Sequence, residues 1–257
     1  MNTPIPTTDS DVAASLVKEA GTLAAAMLAD GLDTHYKTSI SDVVSAADHA
    51  AEELVVRRLT QWRPDDGLVG EEGASRPGER TWYIDPVDGT YNFLSRLPYW
   101  CSAVGLGDAD GPLLGAVYYP ACDELWVGGR ERPTTLNGAP VPRLVDRPLA
   151  EVSVATYFHP AQMADAHRLG VWRSVVGEAA TVRVLGSASV DLAGVATGRV
   201  GLFLQTNLNP WDWYPGAALV LGAGGAAEVV EFDGNRWLIA GNAQSVSEAV
   251  VALQQAH

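Results

Sequence analysis

Residues 82–90 read Trp82-Tyr83-Ile84-Asp85-Pro86-Val87-Asp88-Gly89-Thr90, an apolar strand-like run that ends in two carboxylates and a turn. Pro86 disfavours helical torsions at Asp85, so the chain is expected to stay extended to that point and then bend, bringing Asp85 and Asp88 together from either side. Gly89 admits close backbone approach, and Thr90 opens a short helix whose free N–H groups attract an anion. A cation on the carboxylates and an anion on the helix start would meet at one corner.

Two further segments share this layout, Leu68-Val69-Gly70-Glu71-Glu72 and Asn209-Pro210-Trp211-Asp212. Carboxylates at the ends of core strands are held on rigid backbone yet stay reachable from solvent, and several of them together repel unless a cation compensates. No His or Cys falls inside these segments, so the donor set is all oxygen, which favours Mg²⁺, Mn²⁺ or Ca²⁺ over zinc. Neighbours on an extended strand face opposite ways; the reading gives Glu71 to the metal and leaves Glu72 solvated or supporting from behind. Asp88 and Asp212 each have a simpler explanation as helix caps, and Asp48 has one in the capping-box pattern Ser45-Ala46-Ala47-Asp48. Capping does not explain why Glu71, Asp85, Asp88, Asp212 and Asp48 share one kind of structural address.

Around these segments, Val12, Leu16, Leu23 and Met27 recur at helical spacing and predict a helix over 10–30, ended by Gly31. Leu54, Val55 and Leu59 predict a second helix that stops before Pro64. Short apolar or β-branched runs at 68–70, 82–84, 102–107, 113–119 and 124–127 predict a mostly antiparallel sheet. The Pro-rich passage from Pro133 to Pro148 marks a boundary, giving an N-terminal α+β half over 1–145 and a C-terminal α/β half over 146–257. In the second half, strand-like runs at 152–157, 182–185, 200–204 and 227–232 alternate with helical stretches near 187–197, 213–222 and 245–255.

The 257 residues are 47% hydrophobic and 19% charged, which suits an ordered globule. Net charge is −14, and no basic cluster runs along the chain, so nucleic acid is excluded as an expected partner. The first residues lack the pattern of a signal peptide, and no apolar stretch reads as long enough to span a bilayer. Cys101 and Cys122 both lie in strand-like runs and are expected to be buried free thiols, consistent with a cytoplasmic, reducing setting.

Taken together, Gly70-Glu71-Glu72, Asp85-Pro86-Val87-Asp88-Gly89-Thr90-Tyr91-Asn92-Phe93 and Trp211-Asp212 resemble the three signature blocks of the inositol monophosphatase family, in its order and at similar separations. Lys37 through Asp48 is similar to its N-terminal block, and Gly186-Ser187-Ala188 to its substrate-side loop. The resemblance implies a layered α-β-α-β-α sandwich, a homodimer, and two or three Mg²⁺ ions, with Mn²⁺ a possible substitute and Li⁺ a possible inhibitor. It places Glu71, Asp85, the Val87 carbonyl and Thr90 around one metal, and Asp85, Asp88 and Asp212 around a second. Lys37 and Glu72 would support them from behind. The implied reaction is hydrolysis of a small-metabolite phosphate monoester, inositol-1-phosphate or a similar polyol phosphate, by a metal-activated water that Glu71, Thr90 and Asp48 orient and deprotonate. Asp88, Gly89, Thr90, Gly186, Ser187, Ala188, Gln205 and Asp212 would contact the substrate.

Two positions depart from the pattern. Gln205 stands six residues before Trp211, where many relatives acting on inositol phosphates carry an acid, and Trp213-Tyr214-Pro215 follows Asp212 where small residues are usual. Pro215 is expected in a first helical turn, and Trp100, Trp213 and Tyr214 are candidates for a pocket wall. These departures leave the alcohol open among inositol phosphate, histidinol phosphate, sugar bisphosphates and 3′-phosphonucleotides. A haloacid-dehalogenase-type site fits less well, because two residues rather than one separate Asp85 from Asp88. A regulatory protein that had lost turnover would be missing a metal carboxylate, and none is missing.

Overall fold

The chain forms α1 (Asp9–Asp30), β1 (Thr34–Tyr36), β2 (Val43–Ser45), α2 (Ala46–Trp62), β3 (Gly67–Gly70), β4 (Ser75–Arg76), β5 (Thr81–Asp88), α3 (Thr90–Leu94), β6 (Cys101–Asp108), β7 (Gly111–Tyr119), β8 (Glu124–Gly129), β9 (Arg132–Leu136) and β10 (Ala139–Pro140). It continues through β11 (Ser153–Thr156), α4 (Ala166–Val176), β12 (Thr181–Arg183), α5 (Ala188–Ala196), β13 (Leu202–Thr206), α6 (Pro210–Gly222), β14 (Ala226–Phe232), β15 (Asn235–Gly241) and α7 (Ala243–Gln254). The structure is a computed structural model that describes residues 6–30, 34–36 and 43–256, with backbone alone for 34–36 and 43–45. Lys37 and the expected capping hydroxyl of Ser45 therefore lie outside what is described.

The period-two alternation of the strands builds five layers. In β6, Ala103 faces one side of an eight-stranded sheet while Val104 and Leu106 face the other. The Val104 side packs on α1 and α2 through Leu16, Val17, Val55 and Leu59. The Ala103 side packs on α5 and α6, which also cover Phe203, Leu238 and Ala240 of a five-stranded sheet. Leu202, Leu204, Trp237 and Ile239 on that sheet's opposite face pack on α4 and α7. The result is the expected α-β-α-β-α sandwich. Strand order is β10-β9-β8-β7-β6-β5-β3-β4 in the larger sheet, antiparallel except for the β3–β5 pair. The smaller sheet runs β12-β11-β13-β15-β14 and is parallel across β12, β11 and β13.

Several sequence readings need correction. Cys122 is exposed in a short 3₁₀ turn, whereas Cys101 is buried in β6 as expected. Helix α1 is long and apolar enough, by length and composition, to cross a membrane; in this fold its apolar face is buried against α2 and the larger sheet. Helix α4 and strand β15 have no counterpart in the sequence reading.

Trp213 and Pro215 are buried, and Trp100 packs edge-on against Phe93 in the core. Pro215 lies beyond the first turn of α6. Its room comes from glycines on the sheet below. A Cβ on Gly105 would stand 2.7 Å from the Pro215 nitrogen, and one on Gly115 would overlap the Pro215 carbonyl oxygen. Tyr214 lies over Gly107, its ring centroid 4.2 Å from that of Tyr83. Bulk in α6 is thus matched by absent side chains in β6 and β7. Gly115→Ala is expected to lower stability by about 3 kcal/mol, the cost of overpacking a contact with backbone. A denaturant melt with an unchanged midpoint would contradict this packing.

Candidate active site

The acids gather where strand ends meet helix starts. Glu71 follows β3, and Asp85 and Asp88 lie on its parallel neighbour β5. Asp48 and Asp212 occupy the first turns of α2 and α6, where helix N-termini favour negative charge. The expected bend at Pro86 is a bulge within a continuing strand: Asp85 pairs with Ala103 and Asp88 with Cys101, so three steps on β5 oppose two on β6. The extra residue re-aims Asp88 while both acids stay on sheet backbone.

Burial and mutual repulsion dominate the electrostatics. Burial, then the charges of Glu71, Asp88, Asp212 and Asp48, hold the Asp85 carboxyl well above the usual range. Glu71 is likewise raised, by burial first and then by Asp48, Asp212 and Glu72. Burial and Asp88 push Asp212 up to about 7, against the hydrogen bond its Oδ2 accepts from Asn209 N–H at 3.1 Å. Asp212 therefore does cap its helix, with one oxygen. Asp88 is raised by burial and opposed by two N–H donors at the start of α5: Ala188 N–H donates to Oδ1 at 3.1 Å, and Ser189 N–H donates to Oδ2. Asp88 does not cap its own helix; it anchors to α5 across the molecule.

These residues fit a hard divalent cation. Every candidate donor is oxygen, and Asp85 Oδ1 is buried with no hydrogen-bond partner, which is costly unless something else coordinates it. Among the described residues no group of three His, Cys, Asp or Glu side chains stands ready at metal-ligand spacing. The acids instead crowd one another, the charges of Glu71, Asp88, Asp212 and Asp48 all bearing on Asp85. Partial protonation allows such crowding without a counter-ion.

Gly89, Thr90 and the Gly186–Ala188 turn adjoin Asp88, and Glu72 follows Glu71. The Thr90 hydroxyl donates to the Val87 carbonyl at 3.1 Å, so handing its proton to Asp48 would need the hydroxyl to turn. Gly89 (φ 97°) has the left-handed backbone that glycine favours, and a Cβ there would press on Gly186 and Tyr99 carbonyls. Gly186, Ser187 and Ala188 form the start of α5 with Ser187 as its cap, directly against Asp88. Gln205 is buried in β13, opposite Leu238 of β15. The Glu72 side chain is not solvated: it is 5% exposed, 3.2 Å from His49 Nδ1.

Three contributors escaped the sequence reading. Glu52, buried one turn after Asp48, accepts the N–H groups of Glu72 (2.8 Å) and Ala74 (3.0 Å). Its spacing of four from Asp48 places both on one helix face, a signal available in the sequence. Asn92 donates to the carbonyls of Tyr99 and Leu185, each at 2.8 Å, tying the central turn to the α5 loop. Asp191 is buried in α5 and pushed up to about 7 by burial and the Asp88 charge, while Tyr99 OH donates to it at 2.7 Å.

The model of the inositol monophosphatase family matches residues 6–257. An inositol-1-monophosphatase of Rhizobium meliloti is 37% identical over 190 residues, 72% of this chain and 71% of its own length. A protein of Aquifex aeolicus named fructose-1,6-bisphosphatase/inositol-1-monophosphatase is 34% identical over 205 residues, covering 78% of each chain. The crystal structure of the extragenic suppressor protein suhB from Bartonella henselae superposes with a TM-score of 0.85 at 28% identity, covering 96% of this chain and 98% of that one.

Proposed function

We propose that this chain, which belongs to the inositol monophosphatase family, hydrolyses inositol-1-phosphate or a similar polyol phosphate in a Mg²⁺-dependent reaction. The chain is an enzyme, a phosphoric monoester hydrolase acting on small phosphorylated metabolites. The observation that carries the proposed reading is the buried Asp85 oxygen without a partner at the centre of an acid cluster.

Glu71, Asp85, the Val87 carbonyl, Thr90, Asp88 and Asp212 would hold two or three Mg²⁺ ions, with Mn²⁺ able to replace them. When bound, these ions supply Lewis acidity and offset the charge of the phosphoryl group and the leaving alkoxide. Glu71 and Thr90 orient the attacking water, and Asp48 takes up its proton through the Thr90 hydroxyl once that hydroxyl turns from Val87. The α5 N–H groups keep Asp88 in place. The Gly186–Ala188 turn, held by Asn92, borders the position of the substrate.

Gln205 is the residue that bears on the alcohol. An amide accepts and donates without charge, so it bonds polyol hydroxyls less selectively than a carboxylate would. The bifunctional name of the Aquifex relative favours sugar bisphosphate as a second substrate reading. A phosphate-release panel of inositol, histidinol, sugar and 3′-nucleotide phosphates tests the choice. Inositol-1-phosphate is expected to rank first, and preference for another alcohol would replace it. Gln205→Glu is expected to shift relative kcat/KM among these alcohols by about tenfold, the worth of one polar contact of about 1.4 kcal/mol. An unchanged ranking would remove position 205 from substrate reading. We further propose a cytoplasmic homodimer.

A further inference from the structure

We infer that Glu52, which lies outside every sequence block that marks the site, is a positioning residue that sets the backbone from which Glu71 reaches the metal. The inference rests on the reading of Glu71 as a ligand. Glu71 sits between two fixed points. Its own N–H donates to the Ile84 carbonyl at 3.2 Å, continuing the β3–β5 pairing, and the next N–H, of Glu72, goes to Glu52 Oε2. The turn closes with Gly70 N–H on the Ala74 carbonyl at 2.8 Å, and Ala74 N–H in turn goes to Glu52 Oε1.

A carboxylate suits this task because both oxygens accept, and each takes one amide of the same turn. With both oxygens so engaged, Glu52 supports the site from behind. Room for it exists only because residue 70 is glycine: a Cβ there would overlap the Glu52 carboxyl group. Helix α2 therefore serves the site twice on one face. Asp48 adds its charge to Glu71 and Asp85, and one turn later Glu52 holds the loop that presents Glu71.

The test uses the full chain, freed of metal and titrated with Mn²⁺ by calorimetry, alongside phosphate release at varied Mg²⁺. Glu52→Gln keeps one acceptor and turns an NH₂ toward the other amide. It is expected to raise the half-saturating concentrations of Mn²⁺ and Mg²⁺ by about tenfold, the effect of losing a supporting partner, with kcat at saturating metal nearly preserved. Gly70→Ala displaces the same carboxylate without removing it, and is expected to weaken both metals in the same direction. Wild-type Mn²⁺ affinity in either folded variant, even with a lowered melting temperature, would overturn the inference and leave Glu52 a structural residue. Glu71→Gln separates the two levels. If it binds Mn²⁺ as wild type does, the ligand assignment fails and the role of Glu52 fails with it; if it alone loses affinity, only the role of Glu52 is refuted.

Discussion

Asp85→Asn is expected to lower phosphate release by about a thousand-fold or more while the metal-free protein melts at or above the wild-type temperature. The loss follows from position: Asp85 lies among Glu71, Asp88, Asp212 and Asp48 and is proposed as a ligand at both metal positions. Removing electrostatic stabilisation at the reacting centre has effects of this order. The stability gain has a separate cause. Without metal, burial and four neighbouring carboxylates penalise the Asp85 charge, and an amide of the same shape escapes that penalty. Activity and stability should therefore move in opposite directions. A variant that turns over normally, or one that melts well below wild type without metal, would break the link between this strain and function.

The second large effect concerns pH. Burial pushes Asp191 and Asp212 up to about 7 from an ordinary value of 3.8. Between those values the folded chain binds protons that the unfolded chain has released, so stability is full below the unfolded value and falls as pH rises toward 7. By linkage each group loses at most about 4 kcal/mol over that window. In a chain of this size the metal-free melting temperature should drop by roughly 10 °C between pH 5 and pH 8. Saturating Mg²⁺ should flatten the slope, because coordination favours the charged carboxylates. Asp191→Asn should remove part of it while leaving every proposed ligand intact. A metal-free protein that becomes more stable across the same interval would show that these carboxyls are not held protonated.

Much of the site was legible because its chemistry lies in short segments. Asp85, Asp88 and Thr90 fall within six residues, and an apolar run ending in acids predicts a strand end wherever it occurs. The five-layer stacking is also consistent with simple alternation, as Ala103 and Val104 show by facing different cores. What sequence could not convey depends on distant contacts. Asp88 looked like a cap for its own helix, yet it receives the N–H groups of a helix a hundred residues away. The bulge at Pro86 depends on β6 pairing as much as on proline. The room for Tyr214 and Pro215 could not be read from α6 alone, because the glycines that admit them, Gly105, Gly107 and Gly115, belong to β6 and β7. Glu52 was visible as an acid four residues after Asp48, but its two amide partners lie on a turn about twenty residues on.

The central claim is that the acids around Asp85 form a divalent-cation site that drives hydrolysis of a small phosphate monoester. The most direct measurement is phosphate release from the preferred panel substrate by chelator-treated protein, followed as Mg²⁺ is returned. The account predicts no turnover in chelator and saturable recovery with Mg²⁺ that Asp85→Asn abolishes. Phosphate release at the same rate with and without Mg²⁺ would contradict it, as would the absence of release from every substrate at any Mg²⁺ concentration.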